Sequence, residues 1–532
     1  MKTFVLAMLL FITCSGLVMG QYQNVRISLP NTVGGMATYN HEEVTISINP
    51  QNPMQLAAGA NMNMIYLSTD GGFNWTQDTI TSIYGVWGDP VVRFDAAGHL
   101  YYSHLSNPPY PGYWIDRIVV QKSMDAGQTW NDDVGVGYNP PVKNQDKEWL
   151  AVDMTSGPNH NNLYMCWTEF DEYGNSNPVY RSRIRFSRSI DHGVTWDSAK
   201  TISDITGNCV DEDSTVEGAV PAVGPNGEIY ASWSGPLGIM FDKSSDGGIT
   251  WGADIFVTDQ PGGWDFMVDG IQRCNGMPIT LCDISSSPYQ GNVYVIWSDQ
   301  RNGLSNTDVF FIKSTDGGQT WHGLKRVHDD VSNRHQFFPW ATVDPVTGII
   351  YVVFYDRRAT SNLSTEVWMA RSRDGGETFE NFKISQTEFQ PTGSVFFGDY
   401  IDIAAYDRHV RPIWMRMDGG KLSVWTAIIE DTSSIVDVSA LSRNPKSFYL
   451  SQNYPNPFNP STQIRFALPA AADVRLKVFN ALGQEVATLA DGRYEAGSYT
   501  VRWNAQNFAS GVYLYRLQAG RYSDTRKMIL IK

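Results

Sequence analysis

The chain has 532 residues, of which 42% are hydrophobic and 13% aromatic, and it carries 47 Gly, 17 Trp and 26 Tyr. This length exceeds one ordinary core and suits a large repeat domain with a smaller companion. A formal net charge of −15, with no acidic tail, excludes nucleic acid and anionic membranes as general partners. Many turn formers and aromatics without long helical periodicity exclude a helical bundle and point to an all-β protein.

Residues 1–20 read as a secretory signal. Lys2 supplies the positive start, Phe4 to Ile12 the apolar run, and Val18 and Gly20 fit cleavage before Gln21. The run is too short for a membrane span, so no transmembrane segment is expected after cleavage. Cys14 follows Phe11-Ile12-Thr13, which fits a lipobox poorly. Cys166, Cys209, Cys274 and Cys282 remain, and export makes disulfides feasible. Cys166, inside an apolar strand, reads as a buried thiol. Cys209 and Cys274 each precede the first strand of neighbouring units and are the favoured pair. No CxxC or His-rich metal spacing appears.

From Ser68 onward one eight-residue stretch recurs. STDGGFNW at Ser68 is followed by SMDAGQTW at Ser123, SIDHGVTW at Ser189, SSDGGITW at Ser244, STDGGQTW at Ser314 and SRDGGETF at Ser372. Ser and Asp side chains can accept backbone N–H groups of their own loop, Gly supplies positive φ, and the Trp returns the chain to a buried strand. The stretch is therefore a hairpin staple, and Asp70, Asp125, Asp191, Asp246, Asp316 and Asp374 are read as structural. Upstream of each copy lies a strand, a turn and a strand ending in aromatics, as in residues 89–105, 148–170, 218–235, 279–299 and 339–358. With weaker copies at 44–60 and 399–417 the count is seven. The unit is strand A, turn, strand B, loop, strand C, staple, strand D, and the last unit lacks a staple. A strand near Val25–Leu29 is expected to pair into that last unit and close the array.

The staples resemble the Asp-box, or BNR repeat, of sialidases and related β-propellers. The resemblance implies a propeller over 21–430, with seven blades expected and six as the alternative. Residues 431–448 lose the pattern and read as a linker. Residues 449–532 alternate in apolar character and suit a small β-sandwich. Their words QNYPNPFNPST, LGQEV and SGVYLYRL resemble the C-terminal sorting domain of the bacterial type IX secretion system. This implies handling by that machinery and a secreted or outer-surface location.

In such a propeller the A–B and C–D turns share one face, and the D–A and B–C loops share the other. The second face collects the candidate residues. Asp89, Glu148, Glu217 and Asp399 are the candidate catalytic carboxyls. Arg273, Asp299, Arg301, His335, Asp356, Arg357, Tyr110 and Trp114 are the candidate substrate contacts. Aromatic rings stack on sugars while carboxylates and Arg forks bond their polar groups, and two carboxyls can perform acid–base hydrolysis. Against this, Asp299–Arg301 and Asp356–Arg358 also fit loop-holding ion pairs, and Asp89 and Asp399 fit backbone caps. The family resemblance implies glycan hydrolysis. A sialidase of that family adds an arginine triad, a Tyr–Glu nucleophile pair, an Asp acid/base and an Arg-Ile-Pro motif. Here Val25-Arg26-Ile27-Ser28-Leu29-Pro30 only echoes that motif. The expected function is an exported, sialidase-like propeller acting on extracellular glycans or glycoproteins. The alternative is a non-catalytic surface propeller that binds glycan or protein. No cofactor or catalytic metal is expected, and acidic loops can hold a structural Ca²⁺.

Overall fold

The computed structural model describes residues 22–29, 41–131, 133–359, 362–431, 448–453, 456–494, 496–506 and 508–531. The signal segment and residues 432–447 of the expected linker lie outside these. Among the described residues all regular elements are strands, and no helix is long and apolar enough to cross a membrane. The chain divides into two compact units, Met1–Thr432 and Ser433–Lys532.

Among its described residues the first unit holds seven four-stranded antiparallel sheets and one two-stranded hairpin. Sheets 1 to 7 begin at Thr45–Ile48, Gly88–Phe94, Asn144–Val152, Glu217–Val223, Ile279–Cys282, Gln336–Val343 and Asp402–Tyr406. Sheets 1 to 6 each use four consecutive strands. Sheet 7 takes its fourth from the other end of the chain: Gln23–Arg26 pairs with Lys421–Glu430, Gln23 opposite Ile428. First strands of successive sheets lie side by side, and that of sheet 7 lies beside that of sheet 1. Inner strands are covered on both faces and read as continuous apolar runs, as in Leu163–Phe170, where every residue is buried. Outer strands such as Thr76–Thr79 are mostly exposed and polar. Trp167, Trp233, Trp297 and Trp414 fill the second strands of sheets 3, 4, 5 and 7 and are fully buried.

The eight-residue repeats share one hydrogen-bond pattern. Ser314 Oγ donates to Asp316 Oδ1 at 2.7 Å, Gly318 N donates back to Ser314 Oγ at 2.8 Å, and Thr320 N donates to Asp316 Oδ1 at 2.9 Å. The same Ser–Asp bond recurs in the other five. The fourth position takes positive φ in every copy, including Ala126 (57°) and His192 (60°). Each turn also grips the preceding sheet. Lys122, Arg188, Lys243 and Lys313, each one residue before a repeat Ser, donate to the fourth-position carbonyl of the next repeat: His192, Gly247, Gly317 and Gly375. The repeat aromatics Trp251, Trp321 and Phe379 pack edge-on against Phe186, Phe241 and Phe311 of that same neighbour. Sheet 7 meets sheet 1 in the same way, with Arg411 Nε donating to Gly71 O at 2.7 Å. The motif thus joins sheets as well as closing hairpins.

Two expectations are corrected. All four cysteines are buried free thiols, so Cys209 and Cys274 are not bridged. Cys166, Cys274 and Cys282 sit within apolar clusters that hold a small thiol, and Cys209 is buried beside Asp171 and Glu172. Asp431, expected in the linker, belongs to the first unit. It is buried and accepts from Tyr351 Oη at 2.7 Å, with Arg371 and Arg373 beside it. Sheet 7 has no repeat turn, and Asp431 receives the Arg371 cation that would otherwise cap one.

The second unit contains a three-stranded sheet, Tyr449–Leu450, Ser461–Leu468 and Gly497–Asn504. Its other sheet has the order Glu485–Tyr494, Ala472–Asn480, Gly511–Ala519, Tyr522–Leu530. Leu450, Ile464, Phe466, Val474, Leu476 and Leu517 form its core.

Candidate active site

The structure brings Asp89, Glu148, Glu217, Asp399 and Arg273 to one end of the space enclosed by the first strands. A backbone irregularity does the aiming. Pairing slips between Gly88 and Val91, Asp146 and Trp149, Glu217 and Val220, and Phe337 and Trp340. The inserted residues Asp89, Lys147, Gly218 and Phe338 all have positive φ. Such bulges re-aim side chains at strand ends.

Lys147 is the hub. Its Nζ lies 3.3 Å from Asp89 Oδ2 and 3.4 Å from Glu43 Oε1, and bonds Asp399 Oδ2 directly. Arg273 forks onto Asp399, with Nε at 2.9 Å from Oδ1, and reaches Asp211 Oδ2 at 3.0 Å. Tyr173 Oη donates to the same Asp211 oxygen at 2.6 Å. Arg273 is delivered by the hairpin Asp265–Phe266 and Cys274–Asn275, inserted between sheets 4 and 5, and Asn275 Nδ2 adds a bond to Asp399 O. Seven carboxyl groups (Glu43, Asp89, Asp146, Glu148, Asp211, Glu217, Asp399) thus gather around two cations.

These carboxyls are driven apart. Burial opposes the Asp399 charge, yet Arg273 and Lys147 outweigh it and hold the group below the usual range. Burial, reinforced by Asp89, lifts Glu148 well above the carboxylate range. Burial and the neighbouring Asp211 do the same for Glu217, and burial and Asp89 for Glu43. Burial pushes Asp146 up to about 7. Neither oxygen of Glu148 or Glu217 meets a donor among the described residues. Beside Glu148 lies a cavity of about 40 Å³, lined also by Asp399, Met277, Phe338 and Tyr400 among others. That is room for about three waters and no sugar ring. Trp149, Trp340 and Tyr400 close its floor, with Trp149 and Trp340 ring centres 4.2 Å apart. A second cavity of about 240 Å³ lies at the opposite ends of the first strands.

The remaining candidates sit elsewhere. Asp299 accepts from Trp297 Nε1 at 2.8 Å and pairs with Arg301 at 2.6 Å, and Arg301 lies over the Trp297 and Phe310 rings. Asp356 is buried and accepts from Arg358 Nε at 2.8 Å. Arg357 is buried over Phe337, donates to Asp269 O at 2.7 Å and is pushed down to about 10 by burial. His335 is buried against Thr307, and burial then Arg357 push it down to about 4. These five hold loops together, in contrast to the expected substrate-facing role, and they do not converge with Arg273 into an acid-gripping triad. Trp114 lies edge-on to both Trp87 and Tyr173, while Tyr110 is exposed. Lys147, Glu43, Asp146, Asp211 and Tyr173 were not anticipated. Aligning HEEV and DKEW with WGDP at the bulge position would have found Glu43 and Lys147; Asp211 comes from a loop with no pattern. Among the described residues no group of three or more His, Cys, Asp or Glu side chains is arranged to hold a metal ion.

Residues 452–532 match the family described as "Secretion system C-terminal sorting domain". The second unit is a secretion sorting domain. The protein is therefore secreted or held at the cell surface. A curated relative, the xyloglucanase Xgh74A of Acetivibrio thermocellus, is 25% identical over 268 residues, covering 43% of this chain and 28% of the relative's length. Among solved structures, an ulvan lyase of the polysaccharide lyase class covers 75% of this chain and 96% of its own at 11% identity and TM-score 0.44. A Trypanosoma rangeli sialidase covers 86% of each chain at 12% identity and TM-score 0.37.

Proposed function

We propose that the first unit is a seven-bladed Asp-box propeller that cleaves extracellular glycans by acid–base chemistry at the Lys147–Asp399 mouth, exported through a β-sandwich sorting domain. The supporting observation is the division of labour among its carboxyls. Asp399 is held ionised by two cations, while Glu217 and Glu148 are buried without donors and keep their protons. Carboxyls set apart in this way supply a base and an acid at the same pH. Arg273 covers Asp399 and must shift for sugar to enter. The distant likeness to a glycan-degrading relative agrees with this reading.

The test is a screen of the full chain against neutral and acidic polysaccharides and sialosides, with Asp89→Asn, Glu148→Gln, Asp211→Asn and Asp399→Asn beside the wild type. Turnover lost by about 100-fold or more in a folded carboxylate variant supports the reading. No turnover on any substrate overturns it. One observation favours a second reading, a binding module without catalysis: Asp89, Asp299, Asp356 and Asp399 are all engaged in ion pairs. Glycan binding retained without turnover would select it.

A further inference from the structure

Building on the glycan reading above, we infer that the ligand is an uncharged polysaccharide chain, held across an aromatic shelf that runs along sheet 2 to the mouth. The shelf starts in the loop before sheet 2 and the long loop after its second strand. Trp87 is 40% and Tyr110 67% exposed, large apolar faces left open to solvent. Trp87 meets Trp114 at 5.6 Å between ring centres, and Trp114 meets Tyr173 at 5.7 Å. Tyr173 Oη then bonds Asp211, which bonds Arg273. An unbroken line of contacts thus joins Trp87 to the candidate chemistry. The shelf is braced: Arg117 is clamped between Tyr84 and Tyr138 with its guanidinium 4.5 Å from each ring centre.

Charge selects among glycans. An acidic sugar needs a free guanidinium or ammonium fork. Arg117 is tied to Asp116 at 2.5 Å, Arg273 to Asp399 and Asp211, and Lys147 to three carboxylates. The two cations of the mouth are answered by Asp399, Asp89 and Asp211, which leaves no unpaired positive charge there, among the described residues, for uronate, sulfate or sialate. Stacking on Trp and Tyr faces asks for no charge and repeats along a polymer. The observations therefore fit a neutral chain of pyranoses better than a terminal acidic sugar.

The experiment is affinity electrophoresis of the full chain in xylan, mannan, mixed-linkage glucan, polygalacturonate and chitosan, at about 0.05 and 0.5 M salt. At least one neutral polymer is expected to retard the protein equally at both salts. Trp87→Ala and Tyr110→Ala, both at open positions, should weaken that retardation about tenfold or more. Stronger, salt-sensitive retardation by polygalacturonate or chitosan overturns the inference. So does binding unchanged in both variants, or no retardation by any neutral polymer. Failure of the acid–base reading shows separately: binding would persist and depend on Trp87 while no polymer is cleaved. Cleavage of an acidic polymer only would keep that reading and sink this one.

Discussion

Lys147→Met is expected to destabilise the first unit by about 3–5 kcal/mol at neutral pH, the usual cost of stranding a buried charge. Lys147 is buried, and burial alone would discharge it, but Asp399, Asp89 and Glu43 outweigh burial and keep it charged. Removing it leaves Asp399 with Arg273 alone and Asp89 with no cation among the described ion pairs. The sign with pH follows from Asp399, whose folded-state pKa is depressed. Its contribution is present above the ordinary carboxylate value of about 3.9 and is lost as pH falls through the folded value. The gap between variant and wild type is therefore widest near neutrality and narrows below about pH 4. Lys147→Met combined with Asp399→Asn should recover part of the loss. Chemical denaturation at pH 7 and at about pH 2, below the ordinary carboxylate value, measures all three. A gap of equal size at both pH values would show that the hub is not electrostatic.

Gly248→Ala is expected to cost about 3 kcal/mol or more, from strain and overpacking together. Gly248 has φ of +86°, and a β-carbon there would lie 2.5 Å from Cε1 of Phe186. Phe186 cannot withdraw: it is buried and packed edge-on by Trp251. The substitution therefore strikes the joint between sheets 3 and 4 as well as the turn. Ala126→Gly is the control. Ala126 already holds φ of 57° in its own repeat, where four of the six copies carry Gly. That change should be neutral or slightly stabilising. Equal destabilisation by both would mean that the turns act alone and do not join sheets.

Much of this architecture is legible in the chain because it repeats. Ser, Asp, Gly and Trp at fixed spacing dictate one turn chemistry, and six copies locate the strands on either side. The strand expected near Val25–Leu29 pairs at Gln23–Arg26. What the repeat hides is the partner across the joint. Lys122, Arg188, Lys243 and Lys313 precede the motif by one residue and serve the next copy, so no single copy reveals their role. At the mouth, Asp89, Glu148, Glu217 and Asp399 stand at or just before first strands, where the repeat pattern places them. Lys147 was missed because alternation assigns one of Lys147 and Glu148 to the interior, whereas the bulge at Asp146–Trp149 turns both inward, with Glu148 buried and the Lys147 side chain 9% exposed. Asp299, Asp356 and Arg357 looked like site residues because charges at strand ends usually face solvent. Here neighbouring loops cover them: Asp299 and Asp356 pair with Arg301 and Arg358, and Arg357 lies over Phe337 and donates to Asp269 O. Asp211 and Tyr173 come from long loops whose course no periodicity specifies.

The most direct measurement is Glu217→Gln against wild type, read twice in the same preparation: release of reducing ends from the best substrate, and stability against pH. Burial raises the Glu217 pKa, so its contribution to stability is full below the ordinary carboxylate value of about 4.3 and is lost as pH rises toward the folded value. Gln carries no such pH-dependent loss. The account predicts that turnover falls by about 100-fold or more while stability at neutral pH rises, with no gain at pH 4. Turnover unchanged, or stability lowered at neutral pH, would contradict a protonated Glu217 at the centre of the site.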